Sequence, residues 1–166
     1  MSEMMNGDAS TAVRGPDRLR RLLLGAGLLL TGGLAQAQGP AAMPVVDLSI
    51  GMYRIQAELA ATPQHRQTGL MNRTSMPAQH GMVFVFTHDA RHCMWMKNTL
   101  IPLSVAFADA EGRILNIADM TPHSEESHCA AGQARYALEM NQGWFAERGL
   151  GTDVRIRGLE KLPPPR

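Results

Sequence analysis

The run Leu103-Ser104-Val105-Ala106-Phe107-Ala108 leads into Asp109-Ala110-Glu111-Gly112 and then into Arg113-Ile114-Leu115-Asn116-Ile117-Ala118-Asp119-Met120. The first run is apolar at all but one position, Asp and Gly bracket the short break, and the second run is again rich in apolar residues. This reads as two strands joined by a hairpin turn, with Pro102 marking the entry. Working outward, residues 45–50 and 52–60 read as strands parted by Gly51, with Tyr53, Ile55, Ala57 and Leu59 alternating with polar partners. Residues 81–86, 93–97, 135–140 and 152–157 read as further strands. Thr62-Pro63 has the hydroxyl cap and first-turn proline of a helix start, and that helix ends near Met71. Residues 142–148 form a second short helix stopped by Gly149, and residues 121–132 are the longest irregular stretch. Many short strands with tight connections predict an α+β, mainly β fold. The expected architecture is a small closed or half-closed, antiparallel-rich, barrel-like sheet with one or two short helices.

Composition sets outer bounds. A chain of 166 residues with 45% hydrophobic and 19% charged residues is one globular domain rather than a disordered or polytopic one. Sixteen Lys and Arg against fifteen Asp and Glu exclude a strongly basic nucleic-acid footprint. Two cysteines are too few for a disulfide-framework miniprotein or a four-cysteine zinc site.

The N-terminal segment reads as an address. Arg18, Arg20 and Arg21 precede an apolar run over residues 22–34, and Ala35-Gln36-Ala37 supplies a small-x-small exit. The expected organisation is a signal peptide over 1–37, a linker over 38–44, a single β-rich domain over 45–160 and a Pro-rich tail over 161–166. A periplasmic or secreted location follows. The alternative is a retained N-terminal membrane anchor, for which the run is short against the roughly 20 apolar residues of a full crossing. Removing the leader takes four arginines and three acids, leaving twelve bases and twelve acids. That balance argues against nucleic-acid capture and, once the leader is gone, against membrane binding.

Several strings resemble one known family. They are Gly69-Leu70-Met71 with Arg66 before and Arg73 after, Gly81-Met82-Val83-Phe84, and Met96-Lys97-Asn98-Thr99 followed by Ile101-Pro102-Leu103, with Leu138-Glu139 and Gly151 downstream. The chain over residues 45–156 thereby resembles domain of unknown function 192, a group of small, often exported prokaryotic proteins without a settled activity. The resemblance implies a compact β-rich domain with a helix packed on a barrel-like sheet. One departure is that Ser104 stands where an acid is usual after the Pro-Leu pair.

The candidate functional residues are few. Lys97, Asn98 and Thr99 lie where one strand ends and another begins. They either shape a turn or present an ammonium, an amide and a hydroxyl to a polar ligand in a recess. Arg66, Arg73 and Glu139 are the supporting charges. Glu139 points away from Tyr136, Leu138 and Met140 on its strand, so it need not be buried, and an ion pair with one of the arginines is expected. Cys93 and Cys129, 36 residues apart, are expected to form a disulfide in an oxidising compartment, with free thiols or a metal pair as alternatives. No C-x-x-C redox motif is present. His92, Met94 and Met96 share one face of a strand and form a soft donor set suited to Cu(I). They span about 13 Å, however, and core packing is the simpler reading. Ser127-His128 after Glu125 and Glu126 evokes a hydrolase only superficially. The sequence thus predicts an exported, non-catalytic binding or accessory domain for a small polar ligand or a protein partner, with no cofactor. Cu(I) binding is the alternative, an enzyme is third, and no reaction is legible.

Overall fold

The computed structural model describes residues 42–166. The leader expected over 1–37 and the first part of the linker lie outside the described residues. Among the described residues there are nine strands: β1 (Val45–Ile50), β2 (Tyr53–Ala60), β3 (His80–Ala90), β4 (Cys93–Met94), β5 (Leu103–Ala108), β6 (Ile114–Met120), β7 (His128–Cys129), β8 (Ala134–Asn141) and β9 (Ile156–Arg157). One α-helix, α1 (Pro63–Thr68), and two single 3-10 turns, Ala146–Arg148 and Leu159–Lys161, complete the set. Among the described residues no helix is long and apolar enough to cross a membrane.

Seven strands form one sheet in the order β6-β5-β8-β3-β2-β1-β9, and β4 pairs with β7 in a separate two-stranded ribbon. Every neighbour is antiparallel except β2 and β3, which run parallel. The sheet curls into a half-barrel, as the sequence predicts. Its two edges approach at one corner, where Arg113 and Arg155 form an antiparallel bridge and the Ile156 N–H donates to the Gly112 carbonyl at 2.9 Å. A Cβ at Gly112 would lie 2.5 Å from the Ile156 carbonyl oxygen, so this corner requires glycine.

The central strands are buried on both faces. Val83, Val85, Ala106, Leu138 and Met140 join Leu48, Ile50, Ile55 and Phe145 in the inner core. The alternate residues Met82, Phe84, Val105, Phe107 and Ala137 belong to an outer core capped by Leu70, Met96, Ile101 and Met120. This explains why the Leu103–Ala108 run is apolar almost throughout, since every residue of β5 is buried. The hairpin forms as expected. Asp109 Oδ1 accepts the backbone N–H groups of Glu111 and Arg113 at 3.0 and 2.8 Å, and its other oxygen pairs with Arg113 Nε at 2.7 Å.

Helix α1 starts as read, with the Thr62 hydroxyl accepting the His65 N–H at 3.1 Å and Pro63 in the first turn. It ends three residues earlier than expected, because Gly69 turns the chain at φ 47° and sits against the Phe84 ring. The strand expected over 93–97 shortens to Cys93–Met94, since the chain leaves the ribbon at Trp95 to make a turn at 96–99. The loop expected over 121–132 holds β7, which β4 recruits. The strand expected over 152–157 shrinks to Ile156–Arg157, and the helix expected over 142–148 is a single 3-10 turn that Gly149 stops at φ 62°.

Cys93 and Cys129 are joined by a disulfide across directly paired residues of β4 and β7, with Cα atoms 3.9 Å apart. The ribbon has only two register pairs, and the covalent link adds to the bonds that hold it over the outer core, from the Asn116 amide to the Cys129 carbonyl at 3.1 Å and from the Ala131 N–H to Asn116 Oδ1 at 2.8 Å. Replacing both cysteines with alanine is expected to lower the unfolding free energy by about 3–4 kcal/mol on the chain-entropy account of a 36-residue loop. Urea denaturation of the two forms measures this, and a loss under about 1 kcal/mol would show that the ribbon holds without the bond.

Candidate functional site

The turn at 96–99 is held from three sides. The Thr99 N–H donates to the Met96 carbonyl at 3.0 Å, closing the turn, and Asn98 occupies the left-handed region at φ 56°, which asparagine tolerates better than most residues. The Asn98 carbonyl accepts the Asn72 N–H at 2.9 Å, tying the turn to the segment after α1. On the opposite side, the Thr99 carbonyl accepts from His123 and the Met96 N–H donates to Ser124. Met96 is fully buried and anchors the turn in the outer core. Lys97, Asn98 and Thr99 thus make the local bonds of a turn and also border a concavity.

That concavity has two adjoining parts. An outer hollow of about 490 Å³ is bordered by Arg66, Gln67, Thr68, Met71, Trp95, Lys97 and Asn98. An inner chamber of about 30 Å³ shares Arg66, Gln67, Thr68, Met71 and Trp95 with it and adds Leu70, Phe84, Met94, Thr99 and Glu139. The chamber is large enough for a water molecule or a single functional group. A hollow of similar size beside β1 and β9 is bordered by Arg54, Arg157 and Lys161, but no buried titratable group lines it.

Glu139 forms the floor. It lies on β8 between Met82 of β3 and Val105 of β5, both fully buried, and is itself only 4% exposed. The direction read from the sequence is right, but the expectation that this face need not be buried is wrong. The outer core over this face is closed by Leu70 after α1, by Met96 of the turn and by Ala130 beside the disulfide-linked ribbon. Among the described residues no N–H or O–H donates to the Glu139 carboxylate. Burial alone pushes its pKa up to about 8, so the group is mostly protonated at neutral pH.

The expected ion pair of Glu139 with an arginine is not formed. Arg73 pairs instead with Glu58, both contacts at 2.5 Å, and borders neither part of the recess. The crossover after β2 brings residue 73 back beside β2 rather than over β8. Arg66 does line the recess, but it works mainly as a clamp, donating from Nη1 to the Ala61 and Val85 carbonyls at 2.7 and 3.0 Å and from Nη2 to the Arg166 carbonyl at 3.1 Å. Lys97 stands at the rim, its Nζ 5.3 Å from the centre of the Trp95 ring and 4.0 Å from a Glu125 carboxylate oxygen.

The soft-metal set does not share an open face. Met96 has no accessible surface, Met94 is half-buried, and His92 is stacked on Phe86 with its Nε2 2.9 Å from the His88 carbonyl oxygen. Among the described residues no group of three or more His, Cys, Asp or Glu side chains could hold a metal ion. Ser127 and His128 make no side-chain hydrogen bond to each other, and His128 is instead the β7 partner of Met94. Ser104 is fully buried, donates to Asp119 Oδ1 at 2.5 Å and accepts the Gly143 N–H at 2.8 Å. Asp119 is its register partner on β6, so a carboxylate stands directly beside the position where the family resemblance leads one to expect an acid.

The family model for domain of unknown function 192, described as Uncharacterized ACR, matches residues 46–158. The chain belongs to this family. Two crystal structures are similar to it. One, described as "a putative transcription regulator" from Sinorhizobium meliloti 1021, has 31% identity and a TM-score of 0.68 over 72% of this chain and 97% of its own. The other is a protein of unknown function from Novosphingobium aromaticivorans, with 31% identity and a TM-score of 0.67 over 73% of this chain and 94% of its own. No curated protein matches the chain. Within this DUF192 domain, sequence reading missed Trp95, Gln67, Thr68 and Met71 as recess residues. Only the exposed Trp95 carries a signal of its own, as an aromatic residue beside the Met-Lys-Asn-Thr string.

A carboxyl that ionises less readily folded than unfolded favours the unfolded state as pH rises, because the unfolded chain releases its proton first. The Glu139 contribution to stability is therefore expected to fall between about pH 4.5 and about pH 8, by at most roughly 1.4 kcal/mol per pH unit, and then to level off. Denaturation of the wild type and Glu139→Gln across this range isolates the effect: the variant should gain on the wild type with rising pH. Parallel curves would mean that Glu139 is solvated.

Proposed function

We propose that this DUF192 protein is an exported, non-catalytic binding domain that takes a small polar ligand in the recess between α1 and the turn at 96–99. The observation that carries the reading is the buried Glu139 carboxyl, without a hydrogen-bond donor among the described residues, at the floor of an accessible concavity. Such a group costs stability, and a scaffold built only for stability would place an apolar side chain there. Thr99 shares the inner chamber with Glu139, and Asn98 and Lys97 border the adjoining outer hollow, polar groups of the kind that fix a ligand's orientation.

Export is supported by the leader pattern of residues 18–37 and by the disulfide, which persists in an oxidising compartment and rarely in a reducing one. A binding role rather than catalysis is favoured because no second carboxylate lines the recess among the described residues and no nucleophile there is paired with a base. The regulator description of the Sinorhizobium structure adds no nucleic-acid role here, since the part beyond the leader carries equal numbers of bases and acids.

A ligand-observed NMR screen of small polar fragments tests the reading. Thr68→Trp, at an exposed position bordering both parts of the recess, fills the entrance from the end of α1. Fragments that bind the wild type are expected to lose their signal with this variant while its melting temperature stays unchanged. Fragments binding both forms equally, or no fragment binding at all, would defeat the proposal.

A further inference from the structure

We infer that the recess selects a small carboxylate carried on an apolar body, with the Glu139 carboxyl donating a hydrogen bond to it. The inference rests on the recess being a ligand site and names the chemistry that site would recognise. Its polar groups are weighted toward donors. Lys97 and Arg66 can only donate, and Thr68, Asn98 and Gln67 each carry at least one donor, while the Thr99 hydroxyl donates to the Lys97 carbonyl at 3.4 Å and offers its lone pairs. Arg66 spends Nη1 on two carbonyls and one Nη2 bond on a third, leaving its Nε–H without a partner among the described residues.

Among the described residues Glu139 is the only acid lining either part of the recess, and none of them donates a hydrogen bond to it. Its strand neighbours Met82 and Val105 are uncharged. The charged or titratable groups that line or flank the recess are Arg66 from α1, Lys97 from the turn, Glu125 beyond Lys97 and His128 opposite Met94, and on the same sheet face beyond Met82 stands Glu58, held by Arg73. Glu125 is largely exposed, so its contact with Lys97 is solvent-screened and readily exchanged for a ligand's carboxylate. A protonated carboxyl facing an incoming carboxylate forms a short, charge-assisted O–H···O bond, and the two cations supply the favourable potential. An amine would meet those same cations as like charges. The apolar surfaces of Trp95 and Met71 border the outer hollow, and a volume of about 490 Å³ suits a ligand of one or two rings.

Three matched probes, phenylacetate, phenylacetamide and phenethylamine, test this by amide and indole NMR titration of the chain as isolated from cells. Phenylacetate is expected to shift the Trp95 indole and the amides of residues 97–99 and to bind about ten-fold or more tighter than the other two, the scale of one hydrogen bond to a charged group. Glu139→Gln keeps a donor at the floor and should retain most of that affinity. Glu139→Leu and Lys97→Met should each lose about ten-fold. Preference for phenethylamine would overturn the carboxylate class, assigning Glu139 an ionised role, while leaving the recess as a ligand site. If none of the three binds, the class is overturned, and the fragment screen separately decides whether the recess binds anything.

Discussion

The parallel pairing of β2 with β3 is the constraint on which the rest of the structure depends. Adjacent parallel strands cannot be joined by a hairpin, so the chain must leave the end of β2, cross the sheet and return to the start of β3. The segment that does this carries α1 and places Leu70 and Gly69 over Phe84 on the outer face. The outer face thereby acquires a core of its own. The turn at 96–99 then has a surface on which to dock Met96, and the Asn98–Asn72 bond joins it to the crossover. A six-residue helix has little stability alone, so α1 is held by its Thr62 cap, by the Arg66 clamp and by this packing.

A second consequence is electrostatic. Position 139 alternates with inner-core residues, and in a sheet covered on one face it would be solvated. Covering the outer face buries its carboxyl where no group among the described residues donates to it, and the neutral form is favoured. The disulfide secures the far wall, because Met94 and Trp95, which border the chamber, follow directly from Cys93. Fold and site are in this sense one arrangement: the crossover, the turn and the ribbon that make the recess are also what bury its acid.

Much of the strand framework was legible in the sequence because it rests on local signals. The hairpin at 103–120 follows from apolar runs bracketing Asp and Gly, and α1 announces itself through Thr62-Pro63. Of the residues singled out from the sequence, Arg66, Lys97 and Asn98 border the outer hollow and Arg66, Thr99 and Glu139 the inner chamber. What escaped were properties created by long-range pairing. Nothing local distinguishes a parallel from an antiparallel neighbour, so the covered outer face, and with it the burial of Glu139, could not be read. Arg73 looked like a site residue from its place after Gly-Leu-Met, yet the crossover delivers it to Glu58. The soft donor set over 92–96 assumed a longer strand, whereas the ribbon ends at Met94 and the chain buries Met96 as an anchor.

The central claim is that Glu139 is a desolvated, neutral acid at the floor of the recess, and the most direct measurement is its own titration. Following the side-chain carboxyl carbon of Glu139 by NMR, assigned by comparison with Glu139→Gln, should give a midpoint near 8. A midpoint near 4.3, the ordinary range for a solvated glutamate, would contradict the account.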